Sequence, residues 1–275
     1  MTPHPGPPTD VEVTAYRRDG AVVLRGRFDR HWIEALRTGL ERNLAEPGPW
    51  ASEYTPTDGP GGFRDDYCNW ERIDEYRDFV ERSPAAGLVA TLMGSEEVRF
   101  FHEHVLVKEP GTLEPTPWHH DQPYYPVDGD QVCSVWLPLD PVPERVCPRF
   151  VAGSHRGPGY LTPRTFVDQR PYQGSEAYAP VPDIDAELEA DPRRHRLLSW
   201  GLDLGDCIVF HARTVHGAPG TVGLTSRRRA FATRWLGDDA VWAERPFPTS
   251  PPFPGVDLAP GAPLDHPRFP VIEHR

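Results

Sequence analysis

From Val98 onward the chain is cut into short apolar, β-branched runs bounded by Gly, Pro or Asp. They read "VRFFHEHVLVKEPG", "CSVWLPLD", "PRFVAGSH", "DCIVFHARTVHG" and "RRAFATRWLG". Strands that follow one another without intervening helices pair antiparallel, and a sandwich or barrel is the architecture that buries them. The 34 prolines and 24 glycines exclude a helical bundle. At 275 residues such a barrel fits one domain.

The first third has a different period. In "DRHWIEALRTGLERNLAEPG", Asp29 caps a helix whose Ile33, Leu36, Leu40 and Leu44 share one face, and Pro47-Gly48 ends it. A second helical stretch, about 73 to 94, carries Phe79, Val80, Leu88 and Leu92, is divided by Pro84 and stops at Gly94. "RDG" and "AVVLRG" before these read as a turn and a short β run, and residues 49 to 72 as a long surface connection. Residues 1 to 10 are a loose leader, 11 to 95 a helical layer and 96 to 240 the β core. Within that core 156 to 200, with a helical patch "DIDAELEA", is an insertion or lid over the barrel mouth. The end, 241 to 275, is too proline-dense for a helix or central strand, yet Phe247, Phe253, Phe269, Val271 and Ile272 are too apolar for a free tail. It is expected to wrap along the domain in extended form.

A net charge of −12 provides no broad positive field for phosphates or anionic lipid, so nucleic acid is not an expected partner. Cys68, Cys133, Cys147 and Cys207 form no CxxC pair and read as free thiols of a reducing compartment. With no apolar run near the roughly 20 residues of a membrane span and no signal-peptide pattern, a cytoplasmic protein without membrane contact is expected.

The chemistry concentrates in "PWHHDQPYY". Alternation sends His119 and Asp121 to one point and His120 away from it, placing an imidazole nitrogen and a carboxylate oxygen together. That is two-thirds of the facial triad that binds Fe(II) and leaves positions open for substrate and oxygen. His216 in "HARTVHGAPG" is the leading candidate for the third ligand, with His211 as its competitor. "TSRRRAFATRW" then supplies an arginine able to grip a dicarboxylate by two points. His102 and His104 alternate on one face and either line the barrel, reach the metal or are satisfied strand histidines. His155 reads as fastening a strand end. Trp118, Tyr124 and Tyr125 wall a substrate pocket or pack against the lid.

"DGAVVLRG", "PWHHD", "VWLPLDPV", "FVAGSH", "GDCIVFHARTVHGAPG" and "RRRAFATRW", in that order over about residues 12 to 240, resemble the phytanoyl-CoA dioxygenase-like family of Fe(II)/2-oxoglutarate oxygenases. The resemblance implies a mainly β chain with flanking helices around a double-stranded β-helix, or jelly-roll, core. It implies iron held by His119, Asp121 and His216, with 2-oxoglutarate and O2 as cosubstrates. Arg228 would then meet the far carboxylate of 2-oxoglutarate, Trp136 would lie beside that cosubstrate, and Lys108 would make a further polar contact. Many family members place a serine after the distal His-Gly, whereas this chain has "HGAPGTVG". Asp121 is retained where halogenases of this kind carry a small residue, so oxidation rather than halogenation is implied. The substrate class would be a small metabolite or natural-product intermediate; the acidic charge disfavours a CoA ester. The competing readings are a cupin-like metal enzyme independent of 2-oxoglutarate and a jelly-roll binding module without catalysis.

Overall fold

The computed structural model describes residues 6–55, 59–166 and 168–274. It begins with α1 (Asp10–Asp19), β1 (Ala21–Leu24), α2 (Arg30–Ala45), β2 (Ser52–Glu53) and β3 (Phe63–Tyr67). Then come α3 (Asp74–Arg82), α4 (Ala85–Met93), β4 (Glu97–Lys108), β5 (Thr116–His119), β6 (Val127–Asp128), β7 (Val132–Pro138) and β8 (Arg149–Val151). The remainder is α5 (Ile184–Ala190), β9 (Leu197–Leu198), β10 (Cys207–His211), β11 (His216–Ala218), β12 (Arg228–Leu236), β13 (Val241–Trp242) and β14 (Val271–His274).

One eight-stranded antiparallel sheet has the order β1-β10-β7-β12-β4-β3-β2, with β14 also on β4. A four-stranded sheet, β5-β11-β8-β9, is the second layer, and β13 pairs β6. This is the jelly roll with flanking helices. Alternation divides the large sheet into two faces. Val105, Val135, Val209, Phe231 and Trp235 point outward and pack against α2, α3 and α4, whereas Trp136, Ile208, Phe210, Ala230 and Ala232 point inward with Phe150 of the small sheet. Ala230 and Ala232 are both buried, and these short side chains of β12 leave room between the sheets.

Local chemistry sets the helix ends. Asp29 accepts from the Trp32 N–H at 3.3 Å to start α2. Pro84 separates α3 from α4, and Gly94 closes α4 in the left-handed region (φ 72°).

Three sequence expectations change. The stretch before "AVVL" is helical rather than a turn: Thr9 and Glu12 form a reciprocal capping box, and Arg17 and Arg18 complement the last turn of α1. Residues 1–5 of the leader lie outside the described residues, but residues 6–10 are held, because Arg27 donates to the carbonyls of Gly6 and Pro7. The 49–72 segment is more than a surface connection, since β2 and β3 extend the large sheet and Phe63, Asp65 and Asp66 are buried. Asp66 Oδ2 accepts from Asn43 Nδ2 and Gly48 N, both at 2.7 Å, which satisfies a residue that propensity would keep out of a strand. The C-terminal segment runs along the domain: Phe247 and Phe269 are buried, and β14 is an edge strand on β4. Among the described residues no helix is long and apolar enough to cross a membrane, and all four cysteines are free.

Gly20 joins α1 to β1 at φ 80°, where a Cβ would press into the His155 ring and lie 2.5 Å from Thr214 Oγ1. Gly20→Ala combines left-handed strain with overpacking and should cost about 2–4 kcal/mol. Urea unfolding should show a lower midpoint at unchanged slope.

Candidate metal centre

The two sheets open onto a cavity of about 300 Å³. His119 ends β5, His216 begins β11, and the two are direct cross-strand partners. Asp121 follows on a turn in helical backbone conformation (φ −71°, ψ −40°), so its approach to His119 comes from a tight turn rather than from a continuing strand. His119 Nε2 lies 3.4 Å and His216 Nε2 3.7 Å from the same Asp121 Oδ1. The three donor atoms fall within 4.8 Å of one another, and all three residues are buried.

Each imidazole is oriented by its other nitrogen. His119 Nδ1 is 2.8 Å from the Pro117 carbonyl, and His216 Nδ1 is 2.9 Å from the Thr214 carbonyl. A carbonyl only accepts, so Nδ1 carries the proton in both rings and each Nε2 lone pair faces the shared point. Burial and the neighbouring His119 push His216 down to about 3, leaving it an uncharged donor at neutral pH. Burial pushes the Asp121 carboxyl up, but Arg234 and the two imidazoles outweigh it and hold it well below the usual range. Its second oxygen, Oδ2, accepts from Ser134 Oγ at 3.1 Å and lies 3.6 Å from Arg234 Nη2. Two imidazoles and one carboxylate, open toward the cavity, form a donor set suited to non-haem Fe(II).

His211, the sequence competitor, stands apart. It ends β10, accepts from the Arg213 N–H at 3.0 Å and packs against His155, 5.3 Å between rings. His120 points away and accepts from Leu161 N at 2.9 Å. His155 lies 3.3 Å from the Arg17 carbonyl, at the end of α1. His102 and His104 both line the cavity without joining the His-Asp-His set. Tyr124 and Tyr125 line it too, whereas Trp118 donates to Asp185 of α5 at 2.9 Å and faces the 156–200 segment.

On β12, Arg228, Ala230, Ala232 and Arg234 face inward; Arg229 faces the helices, where it binds Asp140, and Arg227 pairs with Glu41 and Glu109. Arg228 lines the cavity and is buried, with its Nη1 on the Val146 carbonyl at 2.5 Å. Among the described residues no carboxylate lies within ion-pair distance of it. Burial draws it down to about 10, so it remains a cation at neutral pH. A buried cation with free donors fits an anionic cosubstrate. Trp136 lines the same cavity. Lys108 does not. It pairs with Arg228 in register, donates from Nζ to the carbonyls of Glu114 (2.7 Å) and Pro219 (3.3 Å), and is drawn to about 6 by burial and Arg228.

Sequence reading missed Arg234. It donates to Tyr125 Oη at 3.0 Å and sits against Asp121. The period of two from Arg228 was the available signal.

A jelly roll with a buried His-Asp-His set at its mouth and an unpaired arginine between its sheets has the fold and site of the non-haem Fe(II), 2-oxoglutarate-dependent oxygenases. Residues 16–229 match the family model described as "Phytanoyl-CoA dioxygenase (PhyH)", and the chain belongs to that family. It is similar to the non-haem alpha-ketoglutarate-dependent epimerase SnoN from nogalamycin biosynthesis, solved with Fe3+, alpha-ketoglutarate and nogalamycin RO. The two are 26% identical, with 96% of this chain and 98% of SnoN covered at a TM-score of 0.75. The carbocyclase SnoK of the same biosynthesis shares the fold at 24% identity and a TM-score of 0.71, over 98% of this chain and 100% of SnoK. A probable alpha-ketoglutarate-dependent hypophosphite dioxygenase of Stutzerimonas stutzeri is 27% identical over 172 residues, which are 61% of this chain. The match spans 55% of that protein, so the chain spans about half the length of the curated relative it matches.

Proposed function

We propose that this chain oxidises an unactivated C–H bond of a small metabolite or natural-product intermediate, consuming 2-oxoglutarate and O2 and releasing succinate and CO2. The observation that carries the reading is the pairing, in one cavity, of an imidazole and carboxylate set with a buried arginine that has no carboxylate partner among the described residues. His119, Asp121 and His216 would hold the iron through Nε2, Oδ1 and Nε2. Bound Fe(II) with 2-oxoglutarate would supply the electrons that activate O2 for oxidation of the substrate carbon.

The chain's own residues position and exclude. Arg228 fixes the far carboxylate of 2-oxoglutarate by its fork, and Trp136, Phe150 and Phe210 keep that end dry. Lys108 supports this end indirectly, bracing Arg228 through the neighbouring strand. Arg234 and Ser134 occupy Asp121 Oδ2, which leaves Oδ1 for the metal. We assign this chemistry to one domain over residues 1–275, with 156–200 as its lid: Arg164, Phe166 and Tyr172 of that segment line the cavity.

Hydroxylation is the primary outcome. The full-length similarity to SnoN supports epimerisation as a second, because both begin by removing hydrogen from carbon. Mass spectrometry separates them: hydroxylation adds one oxygen atom, and epimerisation leaves the mass unchanged. With Asp121 in place, no chlorinated product should form in excess chloride; a chlorinated product would overturn this.

The direct test is anaerobic addition of Fe(II) and then 2-oxoglutarate to purified protein. A weak visible charge-transfer band of the chelated metal is expected. Bound iron without a band would favour the enzyme independent of 2-oxoglutarate, and no bound iron the binding module. Candidate substrates are then screened for stimulated succinate formation, and stimulation by acyl-CoAs alone would overturn the small-metabolite reading.

A further inference from the structure

The cavity has a second polar patch, separated from Arg228 of β12 by the width of β4. β3 and β4 place Asp65, Tyr67 and His104 on its wall, Tyr54 follows β2, and Phe166 and Tyr172 close over it. Asp65 is 5% exposed. Its Oδ2 accepts from Tyr54 Oη at 2.8 Å and meets His104 Nε2 at 2.7 Å, while its Oδ1 is buried without a partner. Desolvating a carboxylate costs several kcal/mol unless charge or hydrogen bonds replace the water, so an unmet oxygen in a ligand cavity points to a missing donor.

The remaining charges indicate which donor. Arg234 is matched to Asp121, and Arg228 is taken by the cosubstrate in the reading above. Arg164 also lines the cavity, with a buried Nε that has no partner, but its guanidinium is not within ion-pair distance of Asp65. Among the described residues, only His104 lies within ion-pair distance of Asp65, and an imidazole is not a permanent cation. Around this carboxylate the wall is aromatic. Tyr54 lies 6.2 Å from Phe166 between ring centroids, and Tyr67 lies 5.6 Å from His104. A buried carboxylate among aromatic faces provides charge-assisted hydrogen bonding and cation–π attraction together, which suits an ammonium group better than a neutral hydroxyl.

We propose that Asp65, Tyr54 and Tyr67 form an ammonium subsite, so that the substrate is an amine-bearing small molecule anchored across β4 from Arg228. This rests on the oxygenase reading for the occupancy of Arg228. The test is calorimetry on anaerobic protein loaded with Fe(II) and 2-oxoglutarate, at neutral pH, with cyclohexylammonium chloride, cyclohexanol and sodium cyclohexanecarboxylate as probes.

Wild-type protein should bind the ammonium roughly tenfold more tightly than the alcohol, as one charge-assisted hydrogen bond allows, and the carboxylate most weakly. Asp65→Asn should erase the preference for the ammonium over the alcohol while the charge-transfer band persists. Equal or tighter binding of the alcohol or carboxylate, no binding of the ammonium, or a preference that survives Asp65→Asn would each overturn the subsite. The wild-type comparison decides even if the variant does not fold. A band without ammonium preference sinks the subsite alone, and a preference without a band sinks the oxygenase reading alone.

Discussion

His216→Ala should abolish the Fe(II)/2-oxoglutarate band and reduce succinate formation to background. His216 Nε2 is one of three donors converging on one point, and the ring is pinned between Phe150 (5.6 Å, stacked) and Phe210 (4.6 Å). Its loss removes a ligand that neighbouring side chains cannot replace, because His211 faces His155. Metal chemistry contributes several kcal/mol of transition-state stabilisation, so turnover should fall by on the order of 10³-fold or more. His119→Ala should behave in the same way. Anaerobic titration with Fe(II), followed by absorbance and by metal content after desalting, measures the effect. A variant that retains iron and turnover would show that the metal is held elsewhere.

Arg228→Ala should separate cosubstrate from metal. Iron content should be retained, because Arg228 contacts none of the three donors, while the 2-oxoglutarate concentration for half-maximal band intensity rises. Removing one partner of a buried charge pair costs roughly 2–5 kcal/mol, which is on the order of 10²-fold or more. Arg228→Lys should recover only part of this, since an ammonium lacks the two-point fork. Unchanged activity in Arg228→Ala would instead favour a metal enzyme that does not use 2-oxoglutarate. Arg234→Leu provides the contrast. It removes the cation beside Asp121, so its effect should fall on iron retention before cosubstrate affinity.

The β core was legible in the sequence because each strand is short, apolar and closed by a Gly, Pro or Asp. An antiparallel sandwich or barrel follows from those boundaries, the jelly roll itself only from the family resemblance, and helices α2 to α4 follow from their periodicity and stops. What stayed hidden was polar. β3 reads "FRDDY", and its two aspartates resemble a loop until Asn43 and Gly48 are seen to bond Asp66, and Tyr54 and His104 one oxygen of Asp65. Those partners lie 11 to 39 residues away, beyond any local pattern. Alternation brought His119 and Asp121 together on paper, although a turn rather than a strand does so in the fold. The sequence kept His211 in contention as the third ligand but put it behind His216. The structure separates them because β10 ends before β11 begins, placing the second histidine opposite His119. Arg234 carried the same period-two signal as Arg228, but nothing in the sequence placed Asp121 beside it.

The two bonds from imidazole Nδ1 to the carbonyls of Pro117 and Thr214 have an evolutionary reach. Because peptide groups set the tautomer of both rings, no exchange of those two side chains can delete either bond. Aromatic and acidic residues farther out in the cavity are therefore free to diverge without disturbing the donor atoms. The scaffold separates a heritable reaction centre from an adaptable recognition surface, an arrangement in which new substrates can be acquired by mutation while the underlying reactivity is inherited intact.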